Sequence, residues 1–121
     1  MYAVYDGFEI GTSSQEYNLR YQRFVCGNGG DGFVQGTNFS TFDHDVDTLA
    51  YGNCAEGFSS GFWFHQCFSA NLNGPYPSGH CSEVPNAVGI IWWGWKGHFV
   101  YSAKTSKMMM RPQSFRGATA G

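Results

Sequence analysis

The side chains available to build a core in this sequence are mostly rings. Phe occurs 11 times, Tyr 7 and Trp 4, together 18% of the chain, while Leu, Ile and Val are sparse. A ring-built interior constrains the fold, because a buried Tyr or Trp needs a partner for its polar tip. Glycine, at 17 residues, adds a second constraint. It favours turns and irregular loops over long helices. At 121 residues the chain fits one domain that can bury a real core.

Charge excludes one partner class. Only 13% of the residues are charged and the net charge is −2. There is no basic stripe to neutralise phosphates, so nucleic acid is not expected as a partner. No apolar run is long enough to span a bilayer. Met1–Asp6 lacks the basic and apolar regions of a signal peptide. The four cysteines, Cys26, Cys54, Cys67 and Cys81, favour disulfides and an oxidising compartment. Zinc ranks well below, because zinc modules bring ligands in close pairs and no C-x-x-C pair occurs. His65, His80 and His98 are read as ordinary surface or half-buried residues.

Along the chain, Tyr2–Ile10 alternates loosely and runs into the turn cluster Gly11-Thr12-Ser13-Ser14. Tyr17–Tyr21 alternates with period two and predicts a strand. Cys26–Gly32 is a glycine-rich loop, lacking the Lys-Ser/Thr of a phosphate cradle. Phe39–Phe42 predicts a short strand leading into Asp43-His44-Asp45-Val46-Asp47. Residues 48–87 show no useful periodicity. Gly89–Trp92, Phe99–Ser102 and Met108–Arg111 read as strands, the last stopped by Pro112. The tail from Gln113 is expected to fray. The order of elements predicts an α+β or mostly β domain with a strand-poor loop region that carries the chemistry.

An ordered series of motifs resembles the fibrinogen C-terminal family. The series runs Phe8-Glu9-Ile10-Gly11, Glu16-Tyr17-Asn18-Leu19, Gly29-Gly30-Asp31, Phe39-Ser40-Thr41, the Asp43–Asp47 run and Asn53-Cys54-Ala55. It continues through Cys67, Asn71-Leu72-Asn73-Gly74-Pro75-Tyr76, Gly89–Trp92, Trp95-Lys96-Gly97, Tyr101-Ser102 and Met109-Met110-Arg111-Pro112. Each motif alone is weak, and the ordered set is specific. The resemblance implies an α+β, fibrinogen C-terminal-like fold: a short mixed sheet and a large loop-rich ligand region. It places the domain at residues 1–112, with 113–121 as the tail and the family's N-terminal subdomain absent.

The resemblance also implies calcium as cofactor. Asp45 and Asp47 match the family's two carboxylate ligands, and the carbonyls of Leu49 and Tyr51 would complete the site. Hard oxygen donors on one loop suit calcium. Asp43 would act through its charge. An EF-hand does not fit, because Ala50 stands where that loop needs Gly. Without the resemblance, the run reads as a solvated acidic turn.

By resemblance, Cys54 and Cys67 form a disulfide around a dozen residues, and the Gln66–Cys67 peptide is cis. Cys26 and Cys81 have no family counterpart. Pairing with each other, pairing with another chain and free thiols all stay open for them. In acetyl-binding members a Tyr, a His and a further aromatic hold the acetyl group beside this disulfide. Those positions match Phe58, Phe68 and Asn86, the last followed by Ala87. Apolar walls remain, but a hydroxyl and an imidazole are gone, each loss worth roughly 0.5–1.5 kcal/mol. The ligand face is thus expected at Phe58, Gln66, Cys67, Phe68, Asn86 and Ala87. Fibrin-like polymerisation is rejected, because Gly57, Phe58 and Ala87 stand where acidic or polar groups would be needed. Phe62, Trp63 and Phe64 read as core, and Trp92, Trp93 and Trp95 as a mixture of core and surface. Asn38-Phe39-Ser40 is an N-glycosylation triplet.

No Gly-x-Ser-x-Gly elbow and no His-Glu-x-x-His motif occurs, and an enzyme is not expected. Two functions remain for an extracellular, secreted protein. One is calcium-dependent, lectin-like binding of a glycan or acetylated group in innate defence. The other is docking of an extracellular protein in adhesion, matrix or signalling. Modest single-site affinity makes a homo-oligomer the expected state of the full-length protein.

Overall fold

The computed structural model describes residues 1–76, 88–95, 102–112 and 114. Its regular elements are short and pair as antiparallel ribbons. β1 (Val4–Asp6) pairs with β4 (Arg23–Cys26), and β2 (Glu9–Ile10) with β3 (Leu19–Arg20). Between β2 and β3 the chain turns through a 3-10 turn at Ser13–Gln15, where the Gln15 side chain accepts the Thr12 amide at 3.0 Å. β5 (Phe39–Ser40) pairs with β6 (Phe62–Trp63), and β7 (Ala70–Asn71) with β8 (Ile91–Trp92). One helical turn, α1 (Cys54–Gly57), lies between β5 and β6. Its start is capped by Asn53, whose side chain accepts the Glu56 amide at 3.0 Å.

Rings build the core, as composition requires. Phe62, Phe64, Phe68 and Trp92 are buried with Cys54, Ala55, Ala70 and Ile91. Phe33 joins the two halves. Its centroid lies 5.0 Å from Tyr5, 5.4 Å from Trp92 and 6.1 Å from each of Phe8, Phe62 and Trp63. The polar tips are satisfied. Trp92 Nε1 donates to the Gly29 carbonyl at 2.9 Å, and Trp63 Nε1 to the Tyr17 carbonyl at 2.9 Å. Tyr5 donates its hydroxyl to Asp31 Oδ1 at 2.6 Å. Burial first, and then the Asp31 carboxylate, hold that phenol protonated well above the usual Tyr range. Trp93 is exposed and Trp95 half-buried, the mixture expected for that cluster.

The Gly32 backbone lies against the face of the Trp92 indole, and a Cβ there would stand 2.5 Å from Cε2. The ring is rigid and its Nε1 is anchored, so it cannot step aside. Gly32→Ala is expected to cost about 1–3 kcal/mol, read as a lower urea midpoint. Gly57→Ala, where a Cβ meets open space, is the control.

Several strand readings need correction. The Tyr17–Tyr21 strand shrinks to Leu19–Arg20, because Glu16 and Tyr17 adopt positive φ (54° and 50°) and turn the chain. Phe39–Phe42 is strand only at Phe39–Ser40, since Thr41 folds back to bridge His44. Met108–Arg111 is no strand: its residues are exposed and pair with no described strand, so β propensity finds no ladder. Residues 48–76, which show no periodicity, hold α1, β6 and β7. Of Phe99–Ser102 only Ser102 is described. It is buried and accepts the Ile90 amide at 2.9 Å. Residues 113 and 115–121 of the expected tail lie outside the described residues.

Candidate cation loop and disulfide face

The acidic turn follows β5 directly. Ser40 is fully buried, and its hydroxyl oxygen accepts the Val46 amide at 3.1 Å, pinning the turn to the strand. Asp45 Oδ1 accepts the Asp47 amide at 3.3 Å. Asp47 clamps the loop that follows: Oδ1 accepts the Leu49 amide and Oδ2 the Cys54 amide, each at 2.9 Å. Its carboxylate thereby fixes the distance from the acidic turn to the start of α1. The carbonyls of Leu49 and Tyr51 accept no hydrogen bond from any described residue. Two carboxylates and two uncommitted carbonyls on one loop form a donor set that fits a hard cation. Among the described residues no three His, Cys, Asp or Glu side chains cluster, so carbonyls and water would have to complete a calcium shell.

Cys54 and Cys67 are joined, with Cα atoms 5.5 Å apart. The Gln66–Cys67 peptide is cis. The His65 carbonyl accepts the Thr48 amide at 3.1 Å, and the His65 amide donates to the Cys67 carbonyl at 2.6 Å. Through these bonds the acidic loop, the helix and the disulfide form one unit. Phe58 ends α1, its amide bonded to the Cys54 carbonyl at 3.0 Å. Its ring meets Phe68 edge to face, with centroids 4.9 Å apart, and Phe68 is buried against Phe64 at 5.8 Å.

The structure thus brings Phe58, Gln66, Cys67 and Phe68 together beside the loop of Asp45, Asp47, Leu49 and Tyr51. Asn86 and Ala87 lie outside the described residues, as do His80, Cys81 and His98. Cys26 is an exposed free thiol. Sequence reasoning missed three residues that hold the unit together: Ser40, Thr48 and His65. Only the hydroxyl next to an acidic run hinted at the first, since Ser and Asp side chains commonly bond nearby backbone.

Two histidines respond to pH with opposite sign. His44 Nε2 lies 2.6 Å from Glu16 Oε2, and that hydrogen bond and charge raise its pKa. Its pair therefore stabilises the fold fully below about pH 6.5 and is lost as pH rises through the raised folded value. Burial lowers the pKa of His65, whose Nε2 has no partner among the described residues. Below about pH 6.5 the unfolded chain takes up a proton that folded His65 refuses, so stability falls with pH. Urea midpoints taken from about pH 5 to 8 should show the acid-side loss flattened in His65→Gln. In His44→Gln the acid-side loss should deepen.

The sequence profile described as "Fibrinogen beta and gamma chains, C-terminal globular domain" matches residues 1–113. The chain belongs to the fibrinogen C-terminal domain family. This fibrinogen-like chain is 40% identical to chicken (Gallus gallus) tenascin over 117 residues, which are 95% of the chain and 6% of tenascin. It is 38% identical to human (Homo sapiens) fibrinogen-like protein 1 over 128 aligned residues, covering 94% of the chain and 39% of that protein. The fibrinogen-like globe domain of human ANGPTL6 superposes with a TM-score of 0.73 at 34% identity, covering 83% of this chain and 45% of that one. A lamprey fibrin D-dimer, complexed with the peptide Gly-His-Arg-Pro-amide, superposes with a TM-score of 0.71 at 30% identity. That match covers 99% of this chain and 45% of the lamprey one. The fibrinogen-like chain therefore spans less than half the length of the relatives it matches.

Proposed function

We infer that this chain is an extracellular recognition module whose loop face, organised by calcium, docks a polypeptide. Its family and its disulfide support the extracellular reading. One observation carries the polypeptide over the acetyl group: Phe58 and Phe68 pack edge to face on each other, 4.9 Å apart. An acetyl carbonyl would meet ring edges there instead of a hydroxyl and an imidazole, and would lose its hydrogen bonds. The half-exposed Phe58 ring, seated on buried Phe68 beside an ordered loop, suits the apolar centre of a protein contact. Lamprey fibrin, which has the same fold, takes a peptide. The basic end of that peptide finds no acidic partner at Gly57 or Phe58 here, so a different sequence is expected. The glycan reading, with its role in innate defence, becomes the alternative outcome of the test. Oligomerisation in a longer chain would raise avidity in either case.

Calcium at a hundredfold excess over its Kd is expected to stabilise the fold by about 2.7 kcal/mol, read as a rise in Tm. Asp45→Asn should abolish that rise while leaving the calcium-free Tm nearly unchanged. Asp47→Asn should lower the calcium-free Tm as well, because its carboxylate also holds two amides. Folded protein is then passed over acetylated and plain resins, with calcium and with a chelator. Equal, weak retention is expected, together with calcium-dependent capture by one of a set of purified extracellular proteins that Phe58→Ser weakens. Acetyl-selective, calcium-dependent retention would replace the polypeptide with a glycan.

A further inference from the structure

The triplet Asn38-Phe39-Ser40 is the only Asn-x-Ser/Thr in the chain, and nothing in the recognition reading uses its Asn38. Asn38 is half-buried at the entrance to β5. The fold occupies only its amide oxygen: Oδ1 accepts Asn18 Nδ2 at 2.8 Å, and the same Nδ2 reaches the Gly36 carbonyl at 2.9 Å. Asn38 Nδ2, the atom that carries a glycan, bonds to no described residue and is not among the buried unpartnered atoms. Beside it the Glu16 carbonyl accepts the Phe39 amide at 2.9 Å, and the neighbouring Tyr17, Thr12 and Ser14 are exposed. A sugar at this seam would meet water rather than core.

Ser40 behaves differently. It is 0% exposed, and its hydroxyl oxygen holds the Val46 amide. The hydroxyl that defines the triplet is therefore hidden once the chain folds. We propose that Asn38 is an N-glycosylation site that is modified before folding. The proposal rests on the extracellular reading above, since it needs passage through the secretory pathway. The donor is an oligosaccharide linked through a diphosphate to a lipid. Asn38 Nδ2 bonds to the anomeric carbon, the bond from that carbon to the diphosphate oxygen breaks, and Nδ2 gives up one proton. The lipid diphosphate leaves, and no electrons change hands. After folding, the Asn18 clamp fixes the glycosylated side chain in one orientation on the ribbon.

The test is translation of the whole chain behind a supplied signal sequence, in the presence of microsomes, with a reporter triplet appended beyond the C-terminus. Two glycans are expected, both removed by endoglycosidase, and Asn38→Gln should lose one. The Asn38→Gln change is the clean variant, because replacing Ser40 would also release Val46. A second arm offers the folded and the unfolded chain to purified oligosaccharyltransferase with its lipid-linked donor. Modification of the unfolded chain alone is expected. Use of the reporter triplet without Asn38 would overturn the site, and equal modification of the folded chain would overturn the order of events. Native protein in culture medium without the glycan would also overturn the site. A chain that takes the glycan in microsomes yet never reaches the medium in its native context would sink the extracellular reading and leave the site standing.

Discussion

Replacing both Cys54 and Cys67 by Ser is expected to lower stability by about 3 kcal/mol, the loop-entropy value for a closure of this length. The two cysteines are 13 positions apart. Small domains are stable by only about 5–15 kcal/mol in total, so this is a large share. Among the described residues the bridge is the one covalent tie across a region with a single helical turn and two-residue strands. Its loss frees the start of α1, and with it the Cys54 amide that Asp47 holds. Guanidinium unfolding should show a lower midpoint. Calorimetry should show calcium affinity falling in the same variant, because the loop is no longer held at the right length. An unchanged midpoint would mean that the packing of Phe62 and Phe64 holds the region without help.

Phe62→Ala should be comparably damaging, at about 3–5 kcal/mol. Phe62 is 2% exposed, and its ring lies 5.2 Å from Trp63, 6.1 Å from Phe33 and 6.2 Å from Phe64. Removing it opens a cavity among rings too large and too firmly anchored to collapse into it. Trp63 is held by its bond to Tyr17, and Phe33 is wedged between the β1–β4 ribbon and Trp92. Phe62→Leu, which keeps most of the volume, should cost less than half as much. Equal losses for Ala and Leu would mean that edge-to-face ring geometry, rather than buried volume, sets the stability.

Much of this was legible in the sequence, and the reasons differ by element. The ring core followed from composition, because Phe62, Phe64 and Trp92 had few aliphatic competitors. The family followed from the order of weak motifs, which no single spacing would have given. The disulfide and the cis bond came through that resemblance. The short elements were not legible, since a strand of two residues cannot display a period of two. Helix α1 had a signal, Asn53 followed by Glu56, but four residues are too few for helical periodicity. Met108–Arg111 failed for the opposite reason: local preference was present and no described strand received it. At the candidate site, the carboxylates were visible as a run. The double grip of Asp47 on Leu49 and Cys54 was not, because it depends on where the chain turns between them.

The bond from Trp92 to the Gly29 carbonyl sets a schedule for synthesis. Its partners are 63 positions apart. At the usual pace of translation, about 5–20 residues per second, the loop around Gly29 waits roughly 3–13 s for its indole. During that interval the Trp92 side of Phe33 is uncovered, and the β1–β4 ribbon carries an open ring face. Cys67 follows Cys54 much sooner, so the bridge can close while the core is still open. The nascent chain thus passes through a cross-linked but unsealed stage, and chaperone contact should concentrate on the segment around Phe33 until residue 92 emerges.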